Sequence, residues 1–374
     1  MTYRTIPFPI FLATSALIAS PALSGPVYET GSGGTFQYYG QLNFAITSFD
    51  DGQDDTSQLT DNEASSSRVG FLLTQPFGEN TLTFRFETSI GFAASDEFSQ
   101  DFEPRDFDWD RTNLRHVDLI YETPRFGTFY LGQGSMASDG IGNFDGSGTG
   151  LATAVSIGDT AGGFQLRDTT GALTGIEIGD AFANFDGTRA GRIRYDTPSF
   201  NGFQLRIAAG ENILADDDTS ASDDEFYDIA LAYEGEIGTT EIEAGIGYQE
   251  RQRPGSDDRE DVFGSVGVKL GNGVSFTLAT GDRNTAGTYV YGKVGYEADW
   301  IPVGSTAISL DYYIGDDAVT AGDEADSWGI AIVQDFDAQN IEAYLGYRDY
   351  SYEDATAVTY QDASSVILGA RWRF

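Results

Sequence analysis

Read backwards from its carboxylate, the final stretch of this chain alternates residue by residue. Phe374, Trp372, Ala370, Leu368 and Val366 form one apolar face, and Arg373, Arg371, Gly369 and Ile367 fall on the other. A two-residue period defines a strand with one apolar and one mostly polar side. A terminal strand carrying Trp and Phe frays in water. As the closing strand of a membrane barrel it is stable, because lipid solvates its outer side and its aromatic end enters the interfacial girdle. The same parity recurs near the start, where Phe36, Tyr38, Gly40, Leu42, Phe44 and Ile46 alternate with Gln37, Tyr39, Gln41, Asn43 and Ala45. Leu82, Phe84, Phe86, Ile90 and Phe92 alternate with Thr83, Arg85, Glu87, Ser89 and Gly91 in the same way.

A membrane-crossing strand needs about 9–11 residues, and about sixteen alternating segments of roughly that size can be counted along the chain. They lie near 35–47, 67–76, 81–92, 114–122, 127–133, 189–196, 202–210, 226–235, 239–249, 261–270, 274–281, 288–297, 305–315, 327–335, 341–349 and 364–374. The connections separate a barrel from a soluble sandwich, which alternates too. Phe77–Asn80, Pro124–Phe126, Pro198–Gly202, Gly235–Gly238, Gly271–Gly273 and Asp337–Asn340 are short and rich in Gly, Pro and Asn, as tight hairpins require. The stretches Asp50–Ser66, Ala93–Asn113, Glu211–Glu225, Glu250–Glu260 and Tyr350–Ala363 are long and acidic. Short turns on one side and long loops on the other are the pattern of an outer-membrane barrel. The expected fold is all-β: a 16-stranded antiparallel transmembrane β-barrel in the outer membrane.

Arg4, the apolar run Ile10–Ala19 and the small residues before Gly25 read as a secretory signal peptide cut after Ser24. That leaves one barrel domain over 25–374. With no Cys, the chain is neither disulfide-stapled nor a thiolate metal site. The formal net charge of −38 repels nucleic acid and suits cations, salty water or divalent-bridged lipopolysaccharide.

One connection is out of scale. From Gln133 to Thr188 the chain is Gly-rich and loses its alternation. A barrel of this size has a lumen too wide for side chains to fill, and this third loop is long enough to fold inward and narrow it. Phe126-Gly127-Thr128-Phe129-Tyr130-Leu131-Gly132-Gln133-Gly134-Ser135 before the loop and Gly191-Arg192-Ile193-Arg194-Tyr195-Asp196-Thr197-Pro198 after it resemble the general porins of Gram-negative outer membranes, closest to the alphaproteobacterial type. The resemblance implies a homotrimer of barrels in lipid and lipopolysaccharide. Each would have a water-filled pore for small hydrophilic solutes and ions, narrowed by the third loop.

Parity turns Arg192 and Arg194 inward around Ile193, Arg206 inward between Leu205 and Ile207, Arg85 between Phe84 and Phe86, and Arg68 beside Val69. The resemblance implies a basic wall cluster facing acidic residues of the third loop, which offers Asp139, Asp145, Asp159, Asp168, Glu177, Asp180 and Asp186. Asp139 and Asp145 are the first candidates. The Pro-Glu-Phe-Gly-Gly-Asp signature of enterobacterial porins is absent. Alternatively, the arginines pair with wall carboxylates such as Glu87.

The overall acid excess leads to an expected cation preference. Asp50, Asp51, Asp54 and Asp55, and again Asp216, Asp217 and Asp218, could hold Ca²⁺ weakly, although neither run has EF-hand spacing. No other cofactor is expected. The single histidine, His116, shares the inward parity of Asp118 and reads as a wall residue rather than a catalytic base. Two alternatives to a general channel stay open. One is a substrate-specific channel, marked by an aromatic ladder for which the inward Tyr39, Tyr313 and Tyr344 look scattered. The other is a structural or adhesive barrel without conductance.

Overall fold

The computed structural model describes residues 25–215 and 223–374. Residues 1–24, expected to be a signal peptide, and the run Asp216–Asp218 lie outside the described residues. The strands are β1 (Val27–Glu29), β2 (Thr35–Asp50), β3 (Asp55–Asp61), β4 (Arg68–Phe77), β5 (Asn80–Ser89), β6 (Leu114–Thr123), β7 (Gly127–Ser135), β8 (Gln165–Arg167), β9 (Leu173–Glu177), β10 (Arg189–Asp196), β11 (Phe203–Glu211), β12 (Glu225–Ile237), β13 (Thr240–Gln252), β14 (Arg259–Lys269), β15 (Val274–Arg283), β16 (Thr288–Ile301), β17 (Gly304–Asp316), β18 (Glu324–Phe336), β19 (Ile341–Glu353) and β20 (Ala363–Arg373). One short helix, α1, spans Ile178–Ala181. All strands except β8 and β9 join one antiparallel sheet that closes into a 16-strand barrel.

Closure occurs where β20 pairs with the upper part of β2, from Gln41↔Arg373 to Asp50↔Ser364. Phe374 ends that pairing: its N–H donates to Gly40 O at 3.0 Å and its carbonyl accepts from Gly40 N at 2.9 Å. Below it β1 takes over the same edge of β2, from Val27↔Gln37 to Glu29↔Thr35. β20 and β1 together cover this edge of β2, as a hydrocarbon solvent demands of the membrane-spanning part.

The alternation sorts the two faces. Ile193 is 68 % exposed on the outside, whereas Arg192 and Arg194 beside it are 3 % and 6 % exposed. Exposed rings gather at the two rims, Phe77, Phe126, Phe200, Trp300 and Trp372 by the short turns, and Tyr227, Tyr312 and Trp328 towards the long loops. Such paired girdles flank the apolar band of a transmembrane barrel. The tight turns use residues that accept positive φ, such as Gly78 at 65° and Asn340 at 52°.

The second wall strand departs from expectation. The stretch Asp50–Ser66 is not a long loop: β3 pairs with β2 from Phe44↔Asp61 to Asp50↔Asp55. Residues 62–67 then bulge inward before β4 resumes the pairing at Gln41↔Arg68. β3 contains a single large apolar residue, Leu59, so its alternation is hidden among Thr, Ser and Gln.

The third loop folds into the lumen. Ile141, Val155, Ile157, Phe164, Phe182 and Phe185 are buried against wall residues Phe49, Phe263, Tyr289, Tyr313 and Tyr350. A chain of rings forms the clamp. Phe164 stacks on Phe49 at 4.5 Å, Phe49 meets Tyr350 at 6.2 Å, and Phe182 touches Tyr350 at 5.2 Å and Tyr313 at 5.9 Å. Tyr313 in turn stacks on Tyr289 at 5.9 Å, and Tyr289 meets Phe185 at 5.4 Å. Tyr313 is therefore not isolated. This ladder is sealed behind the loop, so it holds the loop rather than lining a path for solutes.

Candidate pore constriction

Polar anchors hold the middle of the loop against the wall, while Ser95, Gln100 and Asp51 hold Asp159, Gln165 and Arg167 nearer the long-loop end. Asp228 on β12 accepts from Ala137 N at 3.1 Å, Ser138 N at 2.8 Å and Ser138 Oγ at 2.6 Å. Ser265 on β14 donates to Ile141 O at 2.6 Å. Lys293 on β16, its side chain fully buried, donates to Asp145 Oδ2 and to Thr153 O, both at 2.7 Å. Ser309 on β17 reaches Thr149 Oγ1 at 2.7 Å, and Asn62 of the inward bulge donates to Leu151 O at 2.7 Å. Tyr313 donates to Ala183 O at 2.6 Å.

The wall from β4 to β11 carries the predicted arginines, with Arg85 keeping 23 % of its side-chain surface and Arg192 1 %. Arg85 grips Asp118 with two hydrogen bonds of 3.0 and 2.9 Å. Arg192 reaches the same carboxylate from two strands away, at 2.7 Å, and also donates to Gly132 O at 2.7 Å. It can do so because its partner in register on the intervening strand is Gly132, which has no side chain. Arg194 holds Asp196 through two bonds of 2.8 Å, and the Tyr130 ring lies 4.9 Å from it and 5.5 Å from Arg192. Arg206 donates to Gln204 Oε1 at 2.8 Å, with Glu234 at 3.9 Å. Glu87 accepts from Tyr39 OH at 2.9 Å and Arg115 Nε at 2.7 Å, with Arg68 at 3.8 Å. Bidentate guanidinium–carboxylate pairs fix their geometry, so this is a rigid strip with more guanidinium groups than carboxylates.

Arg115 was hidden from parity. The register between β5 and β6 shifts at Glu87/Thr88, with Glu87 opposite His116 and Thr88 opposite Leu114. Such a bulge re-aims one residue, and both Arg115 and His116 join the inward cluster. Nothing in the local sequence marks it.

The two loop acids named from the sequence occupy different places. Asp139 lies 3.9 Å from Arg189 at the loop's root. Asp145 sits on the covered wall with Lys293 and Thr277 Oγ1, the latter at 3.2 Å. Burial raises the Asp145 carboxyl, but the Lys293 charge and hydrogen bonds from Lys293 and Ser147 outweigh it and hold it below the usual range. The carboxylate partners of Arg68, Arg85, Arg192, Arg194 and Arg206 are wall groups, and Arg194 also donates to Met136 O at the loop's root at 2.7 Å. Glu177 and Asp180 are exposed on the loop.

Asp186 accepts from Gly140 N at 2.9 Å, Gly142 N at 3.0 Å and Asn143 Nδ2 at 2.7 Å, tying the two legs of the loop together. Burial, with the Asp139 charge adding to it, pushes its carboxyl up to about 7. Of the proposed calcium ligands, Asp51 accepts from Arg167 Nη2 at 2.6 Å, and Asp50 accepts from Gly52 N at 2.8 Å. Among the described residues no group of three or more His, Cys, Asp or Glu is placed to hold a metal.

A closed barrel with aromatic girdles, a loop folded into its lumen and a charged inner wall defines an outer-membrane diffusion channel. The sequence model of the Gram-negative porins matches residues 11–355, and the chain belongs to that family. Among curated proteins no sequence matches. Among solved structures the fold is similar to the anion-selective porin of Comamonas acidovorans, with TM-score 0.59 and 17 % identity over 91 % of this chain and all of that one. It is also similar to Pseudomonas putida OprB, with TM-score 0.60 and 9 % identity over 91 % and 94 % of the two chains. The trimer form of Vibrio cholerae OmpT gives TM-score 0.52 and 16 % identity over 91 % and 99 %.

Proposed function

We propose that solutes cross this porin through a waist between the inward third loop and the arginine strip of β4–β11. The supporting observation is the course of the loop: Asp228, Ser265, Lys293, Ser309 and Tyr313 of β12–β17 hold its middle, Ser95 and Gln100 between β5 and β6 and Asp51 after β2 hold Asp159, Gln165 and Arg167, and Arg68, Arg85, Arg192, Arg194 and Arg206 line the wall from β4 to β11. Small hydrophilic solutes and ions pass the waist without an aromatic binding track, since the aromatic ladder is buried. The guanidinium groups are muted by Glu87, Asp118 and Asp196, whereas the external rim stacks acid on acid. Glu211 stands opposite Glu225, Glu250 opposite Glu260, and Glu324 opposite Glu353. That rim concentrates cations and supports a cation preference.

The working form is a homotrimer in lipid and lipopolysaccharide, a reading supported by family membership and by the trimer form of OmpT. No catalytic role is assigned, and the only histidine sits in the wall beside Arg85, Arg115 and Arg192. Liposome swelling tests the reading: sugars should enter at rates that fall steeply with size. A folded barrel that admits the smallest sugar no faster than protein-free liposomes would sink it.

A further inference from the structure

A second group of arginines stands apart from the waist, high on the opposite wall. Arg251, Arg259 and Arg283 project inward from neighbouring strands, with Arg251 opposite Arg259 and Arg283 opposite Asp261 in the register. They lie at the ends of β13, β14 and β15 that meet the long loops, above the root of the third loop.

Each is held rigid from one side. Arg259 Nε and Arg283 Nε donate to Asp261 at 3.0 and 2.7 Å, and Arg283 Nη2 makes a second bond at 3.1 Å. Arg251 Nε donates to Asp224 at 2.6 Å. Rings support two of them: Phe185 lies 4.1 Å from Arg283 and Phe226 lies 5.4 Å from Arg251. Asp261 and Asp224 are buried, at 0 % and 2 % exposure, so water and solutes meet the guanidinium edges rather than the carboxylates. The side chains of Arg251, Arg259 and Arg283 keep 27 %, 23 % and 16 % of their surface. The Nη1 group of each makes no hydrogen bond among the described residues. Guanidinium groups outnumber the carboxylates that hold them.

A planar guanidinium fixed on one edge and open on another is preorganised for a second planar or tetrahedral oxyanion. We propose that Arg251, Arg259 and Arg283 form a docking site in the external vestibule for small solutes bearing carboxylate or phosphate groups. An acidic rim repels such solutes. A fixed cationic outpost just inside it gives them a foothold from which they reach the waist arginines. The proposal rests on the open channel argued above.

The test is single-channel recording of the folded protein at about 0.01 M KCl, where the Debye length is about 30 Å. Citrate or inorganic phosphate is added to the long-loop side. Both should give resolvable residence events if the site takes either oxyanion, and a response to one alone assigns the site to that group. Arg251→Gln/Arg259→Gln should shorten the events at least about tenfold, as expected for losing charged hydrogen bonds. Because Arg259→Gln leaves Asp261 short of a partner, Arg259→Gln/Asp261→Asn is the companion variant, with the same expected loss and heat-modifiable migration as the folding check. Arg105→Gln, on an exposed loop residue, should change nothing. Wild-type residence times in both folded variants, or no events with either anion in the wild type, would overturn the proposal. If the barrel does not conduct, calorimetric titration of the detergent-folded protein with the same anions tests the site separately from the channel.

Discussion

At Gly132 an absent side chain sets the position of a charge. Its φ of 119° lies where L side chains are strained, and Arg192 passes over it to Asp118. A Cβ there would press on Val117 O and lie 3.1 Å from Asp118 Cα. Gly132→Ala should cost about 1–3 kcal/mol through backbone strain and release Arg192 from Asp118. Urea unfolding at wild-type stability would argue against it. Lys293 makes the complementary case, a buried cation whose one acidic partner within salt-bridge distance among the described residues is Asp145. Breaking a buried pair costs about 3–5 kcal/mol, and Asp145 keeps 19 % of its side-chain surface, so about 2 kcal/mol is expected for Lys293→Met. Lys293→Met/Asp145→Asn should recover part of that loss; an additive double variant would show the pair is not coupled. Parity alone located Arg68, Arg85, Arg192, Arg194 and Arg206 on the inner wall, because side-chain direction in a strand is a local property. It missed Arg115, since a bulge depends on pairing across strands.

The third loop shows the same limit at the level of an element. Its length and lost alternation were legible, and so was its inward course, from the volume it had to fill. Its anchors were not, because Lys293 is 148 residues from Asp145 and Tyr313 is 130 from Ala183. Asp186 gives this element a pH dependence. Its folded-state pKa of about 7 is above the ordinary carboxyl value, so the folded protein binds its proton more tightly than the unfolded chain does. Its contribution is most favourable below about pH 4 and is lost as pH rises through about 7. Asp96, raised to about 7 by burial and then by Glu63, acts in the same direction. The difference between wild type and Asp186→Asn therefore isolates the loop root. The melting temperature of the wild type should fall relative to Asp186→Asn between pH 4 and 8, and parallel curves would show that Asp186 does not titrate in this range.

Across the whole molecule, barrel class, strand number and loop asymmetry followed from period-two patterning, since lipid outside and water inside impose opposite demands on successive residues. The misread stretch, 50–66, is where both faces are polar and that contrast fails. The same separation places rigid, paired arginines inside and acid opposite acid at the external rim, and it makes ion preference depend on screening. The proposed pore is open, narrowed by the third loop, and favours cations at its mouth. Its most direct test is a single-channel recording of the refolded protein in a planar bilayer under a KCl gradient. Large ohmic steps closing in thirds are expected. The reversal potential should lie on the cation side and be stronger at about 0.01 M than at 1 M salt, where the Debye length shrinks to about 3 Å. An anion-side potential would contradict the selectivity, and a correctly folded barrel that never conducts would contradict the channel itself.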